Sequence, residues 1–244
     1  MTAVQVRAHL PVAVKRPIRR LVDAVMITDT VHLLHIGKTG GTALKHALGE
    51  LDLGPRRRIV LHPHGVRLAD IPTGDGVVFV VRDPVDRFVS GFLSRQRQGR
   101  PRYHSAWRGV EEAAFGRFDS PESLALGLLD EATRPMAVEA MNGIRHVGDR
   151  LTDVLGSCDE LRARQDDIVF AGRLERLDED LGALARALGV DEVALPSDPV
   201  QAHRSPAPPP SLSRAAVESL RNWYADDQAI LDEVDRLRLG RGLR

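Results

Sequence analysis

The sequence predicts an α/β protein whose central, mainly parallel sheet is flanked by helices. Short β-prone segments alternate with segments of helical pattern, which is the order of parallel βαβ units. Residues 77–81 are continuously apolar, as expected for a strand covered on both faces. A length of 244 residues suits one domain or at most two small ones. We therefore expect a helical N-terminal arm over residues 1–28 and a single α/β domain over 29–244.

The elements follow in order along the chain. A first strand is predicted over 31–36; it enters a glycine-rich turn that opens a helix from Ala43. Asp83 and Pro84 are typical of a helix N-cap and first position, and Gly189 of a helix end. The other predicted strands are 58–62, 77–81 and 167–172, and the later helices are 84–98, 120–131, 134–145, 174–188 and 211–237.

Composition excludes several classes of protein. Hydrophobic residues make up 43% and charged residues 28% of the chain, values of a globular protein rather than a disordered or disulfide-built one. The formal net charge is zero, which argues against a general binder of nucleic acid. However, residues 1–108 hold 18 Lys and Arg against 8 Asp and Glu, and the remainder carries the opposite excess. This asymmetry predicts that one part of the chain handles an anion.

The single cysteine, Cys158, allows no internal disulfide and fits a reducing compartment. No apolar run approaches the roughly 20 residues that cross a bilayer, and the N-terminal segment lacks the apolar core of a signal peptide. A cytoplasmic protein without a membrane span is expected. The Arg-rich, Lys-poor usage is typical of a high-GC bacterial source.

The turn after the first strand has the composition of an anion site. Backbone N–H groups converge where a strand enters a helix through glycines, and the helix dipole favours negative charge there. Lys38, one of three lysines in the chain, adds a positive charge. The spacing is not that of the Walker A loop, which would need glycine where the chain has His32. The alternative is a tight turn with a solvated Lys38.

A second basic group follows the strand at 77–81. Arg82 lies at its carboxyl end, where ligands bind in open α/β sheets, and offers a bidentate fork to a phosphate. Ser90 lies two turns along the next helix, on one face with Arg87. The alternative is that the arginines pair with Asp83, Asp86 or other nearby carboxylates.

The segments HIGKTGGTAL (35–44) and VVRDPVDRFVSGF (80–92) resemble the two nucleotide-binding signatures of sulfotransferases that use 3′-phosphoadenosine 5′-phosphosulfate (PAPS). The similarity is greatest to the carbohydrate 2-O-sulfotransferases and their bacterial relatives. It covers about residues 31–188, with a weaker match at 170–181, and implies a P-loop-NTPase-like three-layer sandwich. One departure is Gly37, where the family usually carries proline.

The resemblance also implies roles for individual residues. Lys38 holds the 5′-phosphosulfate and acts in catalysis. The other residues implied at the 5′ end are Thr39, Gly40, Gly41, Thr42 and Ala43, and those at the 3′-phosphate are Arg82 and Ser90. Arg204 and Ser205, in a proline-rich segment, are the positions expected for the last cofactor loop.

His62 and His64 follow the second strand, so they should lie at the same edge of the sheet as the two basic segments. In an extended segment, side chains two residues apart point to the same side. Sulfonyl transfer to an alcohol needs a base near neutral pH, which suits histidine. The resembled branch has a His-x-His pair here. His64 is expected to be the base, with His62 as its helper or alternative. The alternatives are that His62 only caps the end of the strand, or that the His-Pro-His segment binds an adventitious metal ion. No metal cofactor is expected.

The resulting expectation is an O-sulfotransferase that uses PAPS and a hydroxyl-bearing acceptor: a carbohydrate, a glycolipid or a small natural product. The basic loop at 99–109 is a candidate acceptor cleft or a solvated loop. Two other functions are consistent with the sequence: a nucleotide kinase or NTPase, and an inactive nucleotide-binding module of the same fold. The oligomeric state is not predicted.

Overall fold

A computed structural model describes residues 29–101, 103–198 and 208–240. In it, strands β1 (Asp29–Leu33), β2 (Arg57–Leu61), β3 (Gly76–Val81) and β4 (Ile168–Arg173) form one parallel sheet. Their order across the sheet is β2-β1-β3-β4. The predicted arm at 1–28 and the predicted loop residues Arg204 and Ser205 lie outside the described residues.

The helices of the described part account for most of the remaining chain. Short 3₁₀ turns at Leu68–Asp70 and Leu174–Arg176 precede β3 and α8. The α-helices are α1 (Gly41–Gly49), α2 (Pro84–Gln96), α3 (Gly109–Arg117), α4 (Pro121–Gly127), α5 (Arg134–Gly143), α6 (Leu151–Leu155), α7 (Cys158–Ala163), α8 (Leu177–Leu188), α9 (Arg214–Trp223) and α10 (Ala225–Gly240).

The central strand β3 explains the layered arrangement. All six of its residues are buried, because helices cover both faces of the sheet. Side chains of α1 and α8 pack on the face that carries Val78 and Val80. Side chains of α6, α7 and α10 pack on the opposite face with Val77, Phe79 and Val81. The predicted α/β class, with a parallel sheet between two helical layers, is confirmed.

The start of α2 fixes the segment that follows β3. The Asp83 carboxylate accepts hydrogen bonds from the backbone N–H groups of Val85 (2.9 Å) and Asp86 (3.2 Å), and Pro84 occupies the first turn. The predicted N-cap is therefore confirmed. From this start, α2 enters a third hydrophobic cluster, formed with α4, α5 and α9 beyond the sheet.

The prediction of one long helix over 211–237 is wrong, because the helix breaks at Tyr224. The Tyr224 side chain is 1% exposed, and its hydroxyl donates a 2.7 Å hydrogen bond to the Val147 carbonyl. Before the break, Leu220 belongs to the cluster around α2; after it, Ile230 belongs to the cluster on the sheet. The break lets the chain pass from one hydrophobic cluster to the other.

Three helices were not expected from the sequence: α3, α6 and α7. Each has fewer than ten residues, too few for a clear apolar periodicity. Among the described residues, no helix has the length and apolarity needed to cross a membrane.

Candidate functional site: a lysine-bearing turn beside two histidine networks

The candidate site lies where neighbouring strands send their connections in opposite directions. From β1 the chain goes to β2 on one side of the sheet, and from β2 it returns past β1 to β3 on the other. The carboxyl ends of β1 and β3 therefore border the crevice in which open α/β sheets bind ligands. The Lys38 turn follows β1 and Arg82 follows β3, so the fold brings the two predicted anion-binding segments to one edge.

The turn adopts the backbone that its glycines predict. Gly40 has φ 79°, in the left-handed region, and forms the N-cap of α1 without any side-chain cap. Lys38, which is half-buried, also has a positive φ of 66°. Such alternation of backbone conformation turns successive N–H groups towards one side, and the first N–H groups of α1 have no acceptor within the helix. The turn is thus suited to binding an anion.

Neighbouring side chains, and not only ligand access, require the two glycines. A Cβ on Gly41 would lie 2.4 Å from Cδ2 of His35, and one on Gly40 would lie 2.7 Å from Cδ1 of Leu174. The imidazole of His35 therefore packs directly on the first residue of α1. His35 is buried.

The two threonines of the turn have different roles. Thr39 is 1% exposed, and its hydroxyl donates a 3.0 Å hydrogen bond to the Ile36 carbonyl inside the turn. Its side chain therefore stabilises the turn, and the role implied for Thr39 at the 5′ end of the donor stays a prediction. Thr42 is partly exposed at the start of α1, while Ala43 is buried.

Arg82 and Ser90 are both half-buried. Within the part of the chain that the structure describes, neither side chain makes a hydrogen bond or an ion pair, so both keep their donors for a ligand. Arg82 acts only at longer range, where its charge opposes the rise in the pKa of Asp86 that desolvation causes. The alternative of an ion pair with adjacent carboxylates is therefore not seen for Arg82 in the described ranges.

Arg87, in contrast, belongs to the interior. It is 1% exposed, and its guanidinium donates 2.7 Å hydrogen bonds to the Asp227 carboxylate and to the backbone carbonyl of Asp149. Its partner is therefore on α10, far along the chain, and not Asp83 or Asp86. Arg87 does not share a ligand-facing surface with Ser90.

His64 lies against the start of α1 through His35. The two rings stack with centroids 3.8 Å apart, and Nδ1 of His64 lies 3.2 Å from the backbone carbonyl of His35. A carbonyl only accepts, so the hydrogen is on Nδ1 and the lone pair of the neutral ring is on Nε2. Partial burial lowers the pKa of His64, and the charges of Lys45 and Arg145 lower it further, against the hydrogen bond to the His35 carbonyl, which raises it. His64 is therefore neutral at pH 7, with one nitrogen able to accept a proton.

His62 belongs to a different network. Its Nε2 lies 2.8 Å from Nδ1 of His32, and Nε2 of His32 lies 3.0 Å from the Asp75 carboxylate. Because the carboxylate accepts, Nε2 of His32 is the donor to Asp75. The two predicted histidines therefore do not share one set of partners. Nothing in the sequence pattern marks His32 or Asp75, since they meet only through the register of β1 with β3.

Lys45 lies close to both histidines. It is half-buried on the second turn of α1, and burial lowers its pKa. Its charge also lowers the pKa of both His62 and His64. The edge of the sheet thus combines two lysines with neutral imidazoles, which favours an anionic ligand. Among the described residues, no group of three or more His, Cys, Asp or Glu side chains has the arrangement of a metal site.

His146 is a site residue that the sequence analysis did not single out. It lies in the loop between α5 and α6, is 8% exposed, and has its Nδ1 3.3 Å from the Asp149 carboxylate. A Cβ on Gly37 would come within 3.3 Å of that nitrogen and 3.5 Å of that carboxylate. Gly37, the departure from the resembled signature, is the only signal that could have pointed to this neighbour.

The basic loop after α2 is anchored, and not a freely solvated segment. Arg95 is 2% exposed, donates to the carbonyls of Ser105 and Ala106, and pairs with the buried carboxylate of Glu111. The indole N–H of Trp107 donates to the Arg95 carbonyl at 2.8 Å. Tyr103, in the same loop, is exposed.

Comparisons with protein-family models, with curated proteins and with solved structures gave no match to the chain.

Proposed function

We propose that the protein transfers the sulfonyl group of PAPS to a hydroxyl of an acceptor molecule. The observation that carries this proposal is the hydrogen bonding of His64. Its neutral imidazole donates from Nδ1 to the His35 carbonyl, which leaves Nε2 able to accept a proton. The ring also stacks on His35, which contacts the start of α1. A base and an anion-binding turn side by side suit group transfer from an anionic donor to an alcohol.

The residues present fit the two ends of such a donor. The Lys38 turn offers a positive charge and helix N–H groups for the phosphosulfate. Arg82 and Ser90 are both without partners among the described residues. The guanidinium of Arg82 can donate two parallel hydrogen bonds to a second phosphate, and the Ser90 hydroxyl can donate one more. When bound, PAPS supplies an electrophilic sulfur and a stable leaving group. The resemblance of both segments to PAPS-binding signatures supports this assignment.

The chemical work of the chain then divides between two residues. Nε2 of His64 accepts the acceptor's hydroxyl proton as the new oxygen–sulfur bond forms and the bond from sulfur to the phosphate oxygen breaks. Lys38 stabilises the negative charge that grows on that departing oxygen, which is electrostatic preorganisation. The acceptor is a carbohydrate, a glycolipid or a small natural product in this proposal, since the fold does not fix a substrate.

The test is transfer of ³⁵S from labelled PAPS in a screen of hydroxyl-bearing acceptors. With a working acceptor, we expect His64→Asn to lower kcat by about 10²- to 10⁴-fold, the usual contribution of a general base. His46→Asn changes an exposed histidine on the same helix as Lys45 and is the matched control. Lys38→Ala tests the turn in the same assay. Full activity in either the His64 or the Lys38 variant would contradict the assigned role.

A binding measurement separates this proposal from its rivals. A ligand that binds only the folded state raises the melting temperature, so 3′-phosphoadenosine 5′-phosphate (PAP) should stabilise the protein more than ATP with Mg²⁺ does. The opposite order favours a kinase or NTPase. Stabilisation by PAP without turnover of any acceptor in the screen favours an inactive binding module.

A further inference from the structure

His146 has features of a functional residue that the proposed reaction does not yet use. It is 8% exposed. Its backbone has φ 70°, in the left-handed region that residues other than glycine seldom adopt. Residues held in such a conformation cost free energy and cluster at ligand-binding sites. Here the conformation is imposed from outside the loop, since Arg87 donates to the Asp149 carbonyl and Tyr224 to the Val147 carbonyl.

The imidazole of His146 lies against the Lys38 turn. Its Nδ1 and Cε1 are the atoms nearest to the position of a Cβ on Gly37, at 3.3 and 4.0 Å. On the other side, the His146 backbone packs on Gly91 of α2, where a Cβ would lie 3.0 Å from the His146 carbonyl oxygen. His146 therefore lies between the turn, which its ring faces, and the helix that carries Ser90, which its backbone and Cβ contact. Its centroid lies 6.2 Å from that of His64.

The hydrogen bonding of the ring leaves one nitrogen for a ligand. Asp149 accepts from Nδ1, so that nitrogen carries a hydrogen in either charge state. Nε2 makes no hydrogen bond to any residue of the described ranges. A buried imidazole with a carboxylate on one nitrogen and no partner on the other is arranged to donate from Nε2 when protonated.

We propose that His146 is a ligand of the oxyanion bound in the Lys38 turn, donating from Nε2 while Asp149 acts as the positioning residue at Nδ1. The inference rests on the proposed function for the identity of the donor, PAPS, but it extends to any phosphate or sulfate held by the turn. No residue of the predicted nucleotide signatures supplies this contact.

The charges around the ring make its protonation depend on the anion. Burial lowers the pKa of His146; Asp149 raises it, and the charges of Lys38 and Arg145 lower it again. Without an anion, the ring is therefore neutral at pH 7. An oxyanion beside Nε2 compensates the positive charges and draws a proton onto the ring. The groups that face His146 come from its own loop, the turn and the segment after β2; they are Arg145, Asp149, Lys38 and His64. Arg87 of α2 acts on the ring only through Asp149, whose pKa it lowers.

The test follows the ring nitrogens of the wild-type protein by NMR with ¹⁵N-labelled histidine at pH 7.0. Two probes are added separately: PAP and inorganic pyrophosphate. We expect either to convert His146 from the Nδ1–H neutral form to the doubly protonated form. Calorimetry in two buffers of different ionisation enthalpy should then show proton uptake on binding. Between pH 6.5 and 8.5 the affinity should fall as pH rises.

The variant His146→Asn tests the contact itself, because asparagine tolerates a positive φ. We expect a loss of PAP affinity of about ten- to a hundredfold, as for one charge-assisted hydrogen bond, and loss of the proton uptake. His46→Asn is the control. A response to pyrophosphate but not to PAP supports the inference and contradicts the nucleotide of the proposed function. No response of His146 to either probe overturns the inference, and so does unchanged affinity and proton uptake in His146→Asn.

Discussion

The buried pair of Arg95 and Glu111 offers a quantitative test of what holds the loop beside the candidate site. Both side chains are at most 2% exposed, and two 2.6 Å hydrogen bonds join them. Glu111 also accepts from the backbone N–H groups of Arg108 (3.0 Å) and Arg145 (3.2 Å). One carboxylate therefore ties together α2, the start of α3 and the loop that carries His146.

The magnitude follows from the pKa of that carboxyl. Burial alone would raise the pKa of Glu111, but the hydrogen bonds from Arg95 and the two N–H groups outweigh it and hold the pKa at about 2, against an ordinary 4.5. Each unit corresponds to about 1.4 kcal/mol, so ionised Glu111 contributes about 3 kcal/mol to the free energy of unfolding. That agrees with the roughly 3–5 kcal/mol lost when one partner of a buried pair is removed.

The perturbation is Glu111→Gln, which keeps the shape and removes the charge. We expect urea unfolding at pH 7 to show a loss of about 3 kcal/mol. Because the folded pKa lies below the unfolded one, the stabilisation is complete above pH 4.5 and is lost as pH falls towards 2. The difference between wild type and variant should therefore shrink over that interval. Glu112→Gln, at the exposed neighbouring carboxylate, is the control. A loss under 0.5 kcal/mol, or a difference that does not change with pH, would refute the reasoning.

Two further predictions concern the candidate site. Gly41→Ala places a Cβ 2.4 Å from the ring of His35, so we expect it to lower stability by about 1–3 kcal/mol and to weaken PAP binding. Gly49→Ala, whose Cβ would meet a neighbour at an ordinary 3.5 Å, should be neutral or stabilising; equal effects of the two in thermal unfolding would contradict this. Asp75→Asn removes the negative charge from the His32 and His62 network, and with His64 as base it should leave the pH profile of kcat/KM unchanged. A moved acidic limb would instead assign the base to His62.

The sequence was informative where local and global preferences agree. Residues 77–81 are apolar without interruption because β3 is covered on both faces, and Asp83 followed by Pro84 can begin a helix in almost any context. The break at Tyr224 was not predictable, since the apolar pattern continues through it. Only the two hydrophobic clusters that α9 and α10 enter, and the buried hydrogen bond of the tyrosine, require the chain to bend there.

In the candidate site, too, the local features were predictable and the long-range contacts were not. The turn with Lys38 and the segment with Arg82 were found because each is contiguous in sequence and each follows a strand, and the sheet order then places them at one edge. The partners of the histidines were not found, because they come from distant parts of the chain. Asp75 reaches His32 through strand register, and His146 reaches Gly37 through packing of the loop after α5. Residue type and spacing along the sequence do not predict such long-range contacts.

These contacts bear on why so many basic groups lie around His64. Positive charge from Lys45 and Arg145 lowers the pKa of His64, which keeps the ring neutral, as a base requires. The same charges would hinder protonation during the reaction if nothing compensated them. In the proposed function, an anionic donor in the turn would supply the compensation, and the imidazole would become more basic when the donor is bound. In this proposal, the lysines and arginine around His64 would thus both attract the donor and couple proton transfer to its presence.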